Sequence, residues 1–115
     1  MYGAIEAGGT KFNLALANAQ GKIIKEKTLA TSSPQEVLDQ IISFYRKNPV
    51  QALGVGLFGP VDLDPSRETF GCLLKTPKEA WRNYPFYKKL SQALPGTRLA
   101  LDTDVNVAGL GEYYL

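Results

Sequence analysis

Histidine does not occur in this chain of 115 residues, and cysteine occurs once, as Cys72. Without histidine, no Ser–His or Cys–His catalytic pair and no histidine-held metal can be assembled from these residues. A single cysteine makes no internal disulfide, which fits a reducing, cytoplasmic compartment. No apolar run approaches the ~20 residues of a membrane span, so no membrane partner is expected. The start, Met1-Tyr2-Gly3-Ala4, lacks the positive region that precedes the apolar stretch of a signal peptide. Neither sign of charge dominates. Thirteen Lys and Arg stand against eleven Asp and Glu, and the densest basic stretch, Lys22, Lys25 and Lys27, is interrupted by Glu26. Such a surface is not that of a nucleic-acid binder. What the chain does have is 44% hydrophobic against 21% charged residues, enough to fill one core and too much for disorder. Its chemistry is left to carboxylates and backbone.

The organisation follows from hydrophobic period. Tyr2-Gly3-Ala4-Ile5-Glu6-Ala7 reads as a short strand stopped by Gly8-Gly9. Phe12, Leu14 and Leu16 alternate in a second strand over 11–17. Asn18-Ala19-Gln20-Gly21 is turn chemistry, and a third strand runs over 22–31. Tight connections make these three an antiparallel meander. The period then changes. Ser33-Pro34-Gln35-Glu36 is a capping box with proline at the first helical position. Val37, Leu38, Ile41, Ile42 and Tyr45 follow at helical spacing, and Arg46-Lys47 suit the helix C-terminus. Residues 51–58 form an apolar run expected of a strand buried on both faces. An irregular stretch over 59–83 resembles a site or partner surface more than a regular element. A second helix is predicted over 84–94, a fifth strand over 97–101 and a third helix from Asp104. The order βββαβαβα predicts an α/β fold with a five-stranded mixed sheet. The third helix carries Val105, Ala108, Leu110, Tyr113 and Tyr114 and stops at Leu115 without a cap, so the chain is expected to be a piece of a longer protein.

Four segments carry possible chemistry. Gly8-Gly9-Thr10-Lys11 lies between two strands, where bare backbone amides can cradle an anion, Thr10 adds a hydroxyl and Lys11 a charge. Glu6, two residues upstream, could hold Mg²⁺ directly or through water. A hairpin turn needing positive φ, followed by a surface lysine, would give the same sequence. Gly54-Val55-Gly56-Leu57-Phe58-Gly59 matches GxGxxG, but its glycines lie within a strand and no helix follows, so dinucleotide binding is not the reading. Close backbone approach or a bulge is. Thr76-Pro77-Lys78-Glu79-Ala80-Trp81 is the conspicuous loop, where Trp81 either plugs the core or anchors a substrate loop. Asp102-Thr103-Asp104-Val105-Asn106 spans a strand end and a helix start. One acid there would serve as a helix cap; two acids and an asparagine exceed that need. Cys72 has no activating neighbour in sequence and reads as packing.

Together these segments resemble the amino-terminal lobe of a ROK-family sugar kinase, most closely the bacterial fructokinase branch. The resemblance runs through four motifs in order: Ala4-Ile5-Glu6-Ala7-Gly8-Gly9-Thr10-Lys11, then Gly54-Val55-Gly56-Leu57-Phe58-Gly59-Pro60-Val61-Asp62, then Thr76-Pro77-Lys78-Glu79-Ala80-Trp81, then Thr103-Asp104-Val105-Asn106 with Leu110-Gly111-Glu112. It implies a ribonuclease-H-like, actin-like lobe occupying residues 1–115, with a second, carboxy-terminal lobe absent from this chain. It implies ATP-dependent phosphorylation of a hexose, fructose to fructose 6-phosphate, with Asp104 as the general base toward the sugar hydroxyl. Gly8, Gly9, Thr10 and Lys11 would bind nucleotide phosphate, Glu6 would approach Mg²⁺, and Gly59, Thr76, Thr103 and Asp104 would line the sugar pocket. Zinc and the adenosine site would belong to the other lobe, and the full-length protein would be a homodimer.

The sequence departs from the family's pattern in two places. Glu6 stands where many members carry aspartate, and Thr103 stands where many carry asparagine. Thr103 and Phe58-Gly59-Pro60 resemble the fructokinase branch. Glucose and N-acetylmannosamine are the alternative sugars. A sugar-responsive repressor of the same family would need a helix-turn-helix ahead of the first strand. A non-catalytic sugar-binding module would have no use for Asp104 in its motif.

Overall fold

The computed structural model describes residues 1–8, 10–57, 66, 68 and 79–103. Expectations for Gly9, Gly59, Cys72, Thr76, Asp104 and the third helix lie outside the described residues.

Among the described residues, five strands and two α-helices follow in the order β1 (Tyr2–Ala7), β2 (Lys11–Ala17), β3 (Ile23–Ala30), α1 (Pro34–Lys47), β4 (Ala52–Leu57), α2 (Phe86–Ala93) and β5 (Arg98–Thr103). The sheet order is β3-β2-β1-β4-β5. β2 pairs antiparallel with both β1 and β3, as a meander requires. β4 pairs parallel with β1, and β5 parallel with β4, which the intervening helices permit. The sheet is therefore mixed, as the element order predicts.

Local chemistry accounts for the connections. Asn18 Oδ1 accepts from the backbone N–H groups of Gln20 and Lys22, 3.0 Å each, and shapes the β2–β3 turn. Ser33 caps α1, its hydroxyl oxygen accepting from the Glu36 N–H at 3.4 Å, with Pro34 opening the helix. α1 buries Val37, Leu38, Ile41, Phe44 and Tyr45. These pack with Phe86 and Leu90 of α2 on the sheet face formed by Ile5, Ala7, Phe12, Leu14, Leu16, Leu53 and Val55, giving one core.

At Gly3 helix and sheet pack closely. A Cβ at Gly3 would lie 2.8 Å from Leu53 Cδ1 and 2.8 Å from Tyr45 Cε1. The missing side chain admits the Tyr45 ring, whose hydroxyl reaches past Gly3 to donate to the carbonyls of Ala4 and Ala15, 3.1 Å each. Burial pushes the Tyr45 phenol well above its ordinary value near 10.

Several boundaries differ from expectation: β3 covers Ile23–Ala30 rather than 22–31, β4 starts at Ala52 rather than 51, β5 starts at Arg98 rather than 97, and α2 ends at Ala93 rather than 94. β5 runs to Thr103, two residues beyond the predicted end at 101, because Asp102 and Thr103 continue the pairing with Gly56 and Leu57. α2 starts at Phe86, with Pro85 as its N-cap residue, rather than at 84. A 3₁₀ turn over Glu79–Trp81 interrupts the stretch expected to be irregular.

Candidate functional site

Parallel pairing sends β1, β4 and β5 toward the same end of the sheet. Glu6, Gly56 and Asp102 share one row of the register, and Leu57 pairs with Thr103 in the next. Position 102 is thus two strands from Glu6, roughly 10 Å at the usual interstrand spacing. The carboxyl ends of such strands are where ligands sit in α/β sheets. β1 leaves this end directly into the glycine turn.

Gly8 and Lys11 flank the passage from β1 into β2. The Gly8 N–H donates to the Lys11 carbonyl at 2.8 Å. Gly8 is not in the positive-φ region; among the described glycines that conformation belongs to Gly21, at φ 81°. What Gly8 supplies is room, because a Cβ there would stand 3.0 Å from the Lys11 carbonyl oxygen. The expected need for positive φ is therefore replaced at Gly8 by a need for close backbone approach.

A second segment holds the turn from outside. The Thr31 N–H donates to the Thr10 carbonyl at 2.9 Å, and the Thr31 hydroxyl donates to the Gly8 carbonyl at 3.0 Å. Nothing in the local sequence singled out Thr31, since its partners lie more than twenty positions upstream. Thr10 and Lys11 themselves are exposed. A hydroxyl and an ammonium thus stand free on a reversal whose Gly8 and Thr10 carbonyls are occupied, an arrangement suited to an anion.

Glu6 is exposed, while its neighbours Ile5 and Ala7 are buried against the helices. By strand alternation its carboxylate is on the opposite face, beside Asn13 in the register. There the Asn13 side chain accepts from the Thr28 hydroxyl at 3.0 Å.

Trp81 plugs the core, the first of its two expected roles. It is 1% exposed and stacks on Phe12, the first buried residue after the glycine turn, with ring centroids 5.4 Å apart. Phe86 stands 6.0 Å and Tyr84 5.9 Å from the indole. Its Nε1–H donates to the Ser32 carbonyl at 3.1 Å, so the residue that ends the Thr76-to-Trp81 motif is bonded to the neighbour of Thr31. Of the expected site residues, Glu6, Gly8, Thr10, Lys11 and Thr103 come to one end of the sheet.

The chain matches the ROK family over residues 2–115. It is 44% identical over 111 residues to a fructokinase of Lactococcus lactis subsp. cremoris, covering 96% of this chain and 38% of that one. It is 35% identical over 120 residues to a fructokinase of Zymomonas mobilis subsp. mobilis, covering 99% of this chain and 40% of the relative. Its structure resembles that of a ROK family glucokinase from Streptomyces griseus in complex with glucose and AMPPNP, with a TM-score of 0.70 and 25% identity, over 98% of this chain and 36% of the other. The chain therefore spans about two fifths of the length of these relatives.

Proposed function

The chain belongs to the ROK family, and from that premise we propose that it is the amino-terminal lobe of an ATP-dependent hexose kinase, with fructose as substrate and fructose 6-phosphate as product. The single observation that carries this reading is the convergence of the 8–11 turn with the ends of β4 and β5 at one edge of the sheet. A phosphate site and a sugar site on that edge would put the two reacting groups within reach of each other.

In this reading Gly8, Gly9, Thr10 and Lys11 bind the nucleotide phosphates. The two glycines leave the backbone accessible, and Lys11 balances the charge. Gly59, Thr76, Thr103 and Asp104 hold the sugar. Asp104 follows directly on the last residue of β5 and is the general base. A carboxylate within hydrogen-bond reach accepts the hydroxyl proton as that oxygen attacks the γ-phosphorus. Phosphoryl transfer asks for little else from the protein than alignment and charge balance.

Mg²⁺ fits the donor at hand. An exposed carboxylate beside a phosphate turn suits a hard cation that keeps several waters and takes its remaining ligands from phosphate oxygens. Among the described residues no group of three or more His, Cys, Asp or Glu forms an all-protein cage. Glu6 would hold the ion directly or through water, and the ion would neutralise phosphate charge. By the same proposal the full-length enzyme works in the cytoplasm as a homodimer, on small molecules.

The deciding experiment is a side-by-side measurement of kcat/KM for fructose and glucose with the full-length protein and MgATP. Fructose is expected to be preferred. Equal values or a glucose preference would overturn the sugar assignment, and no ATP-dependent phosphorylation of any hexose would overturn the kinase reading.

A further inference from the structure

Glycine turns that bind anions face a conformational difficulty. A peptide plane flanked by glycine flips at little cost, and a flipped plane presents a carbonyl oxygen where an N–H should be. A phosphate would then meet a partial negative charge instead of a donor. Something must fix the planes, and the turn's own Gly8 N–H to Lys11 carbonyl bond fixes only its mouth.

Thr31 supplies the rest. It lies between the end of β3 and the Ser33 cap of α1, so its backbone is anchored on both sides. From there it takes the Thr10 carbonyl with its N–H and the Gly8 carbonyl with its hydroxyl, at 2.9 and 3.0 Å. Both oxygens are drawn toward the β3–α1 connection. In a trans peptide the N–H points opposite to the C=O. Holding the Thr10 carbonyl on Thr31 therefore aims the Lys11 N–H away from Thr31. The connection is itself braced by the Trp81 indole, which donates to the Ser32 carbonyl while stacking on Phe12.

We propose that Thr31 is a positioning residue for nucleotide phosphate: its hydroxyl holds the Gly8 carbonyl away from the phosphate, and the Trp81–Ser32 bond keeps Thr31 in place. The proposal rests on the kinase reading for the identity of the anion. The geometry of the clamp does not depend on that reading.

The test uses Thr31→Val, which keeps the backbone N–H and the side-chain volume but removes the hydroxyl, and Thr31→Ser, which restores it. In the full-length enzyme, Thr31→Val is expected to raise KM for MgATP about three- to tenfold, the scale of one hydrogen bond. KM for the hexose should stay within about twofold, and Thr31→Ser should return most of the loss, since only the hydroxyl is at issue. Amide hydrogen exchange across residues 7–12 should quicken by a similar factor in Thr31→Val and not in Thr31→Ser, with β4 unchanged. An unchanged KM for MgATP in Thr31→Val, an equal rise in both KM values, or failure of serine to rescue overturns the proposal. If the wild-type protein phosphorylates no hexose, the kinase reading falls by itself. The exchange data then decide the clamp: quickening with serine rescue supports it, and unchanged exchange overturns it.

Discussion

Replacing Tyr45 by phenylalanine removes one hydroxyl from a close contact between α1 and the sheet. The ring would stay, because Gly3 leaves it the space it now fills. The loss is the single proton shared between the Ala4 and Ala15 carbonyls, each 3.1 Å from the hydroxyl oxygen. A net hydrogen bond of this kind contributes about 1 kcal/mol. For a domain of this size that corresponds to a Tm lowered by about 4 °C. The hydroxyl also leaves a signature in alkali. The Tyr45 phenol is raised in the folded state, so above about pH 10 the unfolded chain releases this proton while the folded chain retains it. Stability from this group is thus fully present below pH 10 and falls as pH rises, by up to ~1.4 kcal/mol per pH unit. Phenylalanine cannot titrate, so the variant should lose stability less steeply in that range, by about one proton's worth of slope. Urea unfolding at pH 7 and at intervals above pH 10, followed through the buried Trp81, measures both quantities. A variant as stable as wild type at pH 7, with a parallel alkaline limb, would refute the assignment of the hydroxyl to those carbonyls.

Gly3→Ala should destabilise by about 1–3 kcal/mol, the range for overpacking a filled core, because Leu53 and the bonded Tyr45 ring must both give way; a chemical melt gives the value. Asp104→Asn in the full-length enzyme should lower kcat by about 10²–10⁴, the worth of a positioned base, and affect sugar KM less; a rate within threefold of wild type would leave Asp104 a helix cap. The 115-residue chain alone should yield no sugar phosphate from fructose and MgATP above a no-protein blank, because the proposed phosphoryl transfer depends on aligning two substrates and the adenosine site is expected on the other lobe.

Where side-chain alternation governs, the elements were legible to the residue. β2 occupies its predicted bounds because Phe12, Leu14 and Leu16 must all reach one core. α1 begins at the proline its capping box marks and ends after the Arg46-Lys47 pair. The sequence predicts β5 too short at its end because Asp102 and Thr103 look like the end of a strand, although pairing with Gly56 and Leu57 continues. The spacing predicts α2 two residues too long at its start. Tyr84 precedes a proline, which disfavours helical backbone there, and its ring instead packs edge-on against Trp81. The 3₁₀ turn over Glu79–Trp81 is too short to show any period. At the site, the glycine turn could be found from composition because glycines flanked by strands need a local reason. Thr31 could not. Its bonds to Gly8 and Thr10 span residues far apart in sequence, and one threonine after a strand has no distinguishing pattern.

Because Thr31 finishes the turn, the four residues Gly8-Gly9-Thr10-Lys11 are not a portable cassette. Transplanted onto another hairpin, they would bring the glycines, the hydroxyl and the ammonium but leave behind the partner of the Gly8 and Thr10 carbonyls. A designer borrowing the loop would have to carry the end of β3, the Ser33 cap and a bracing aromatic with it. The same dependence sets an order on assembly at the ribosome: the loop is written by residue 11, is completed at residue 31, and is braced only when Trp81 has emerged.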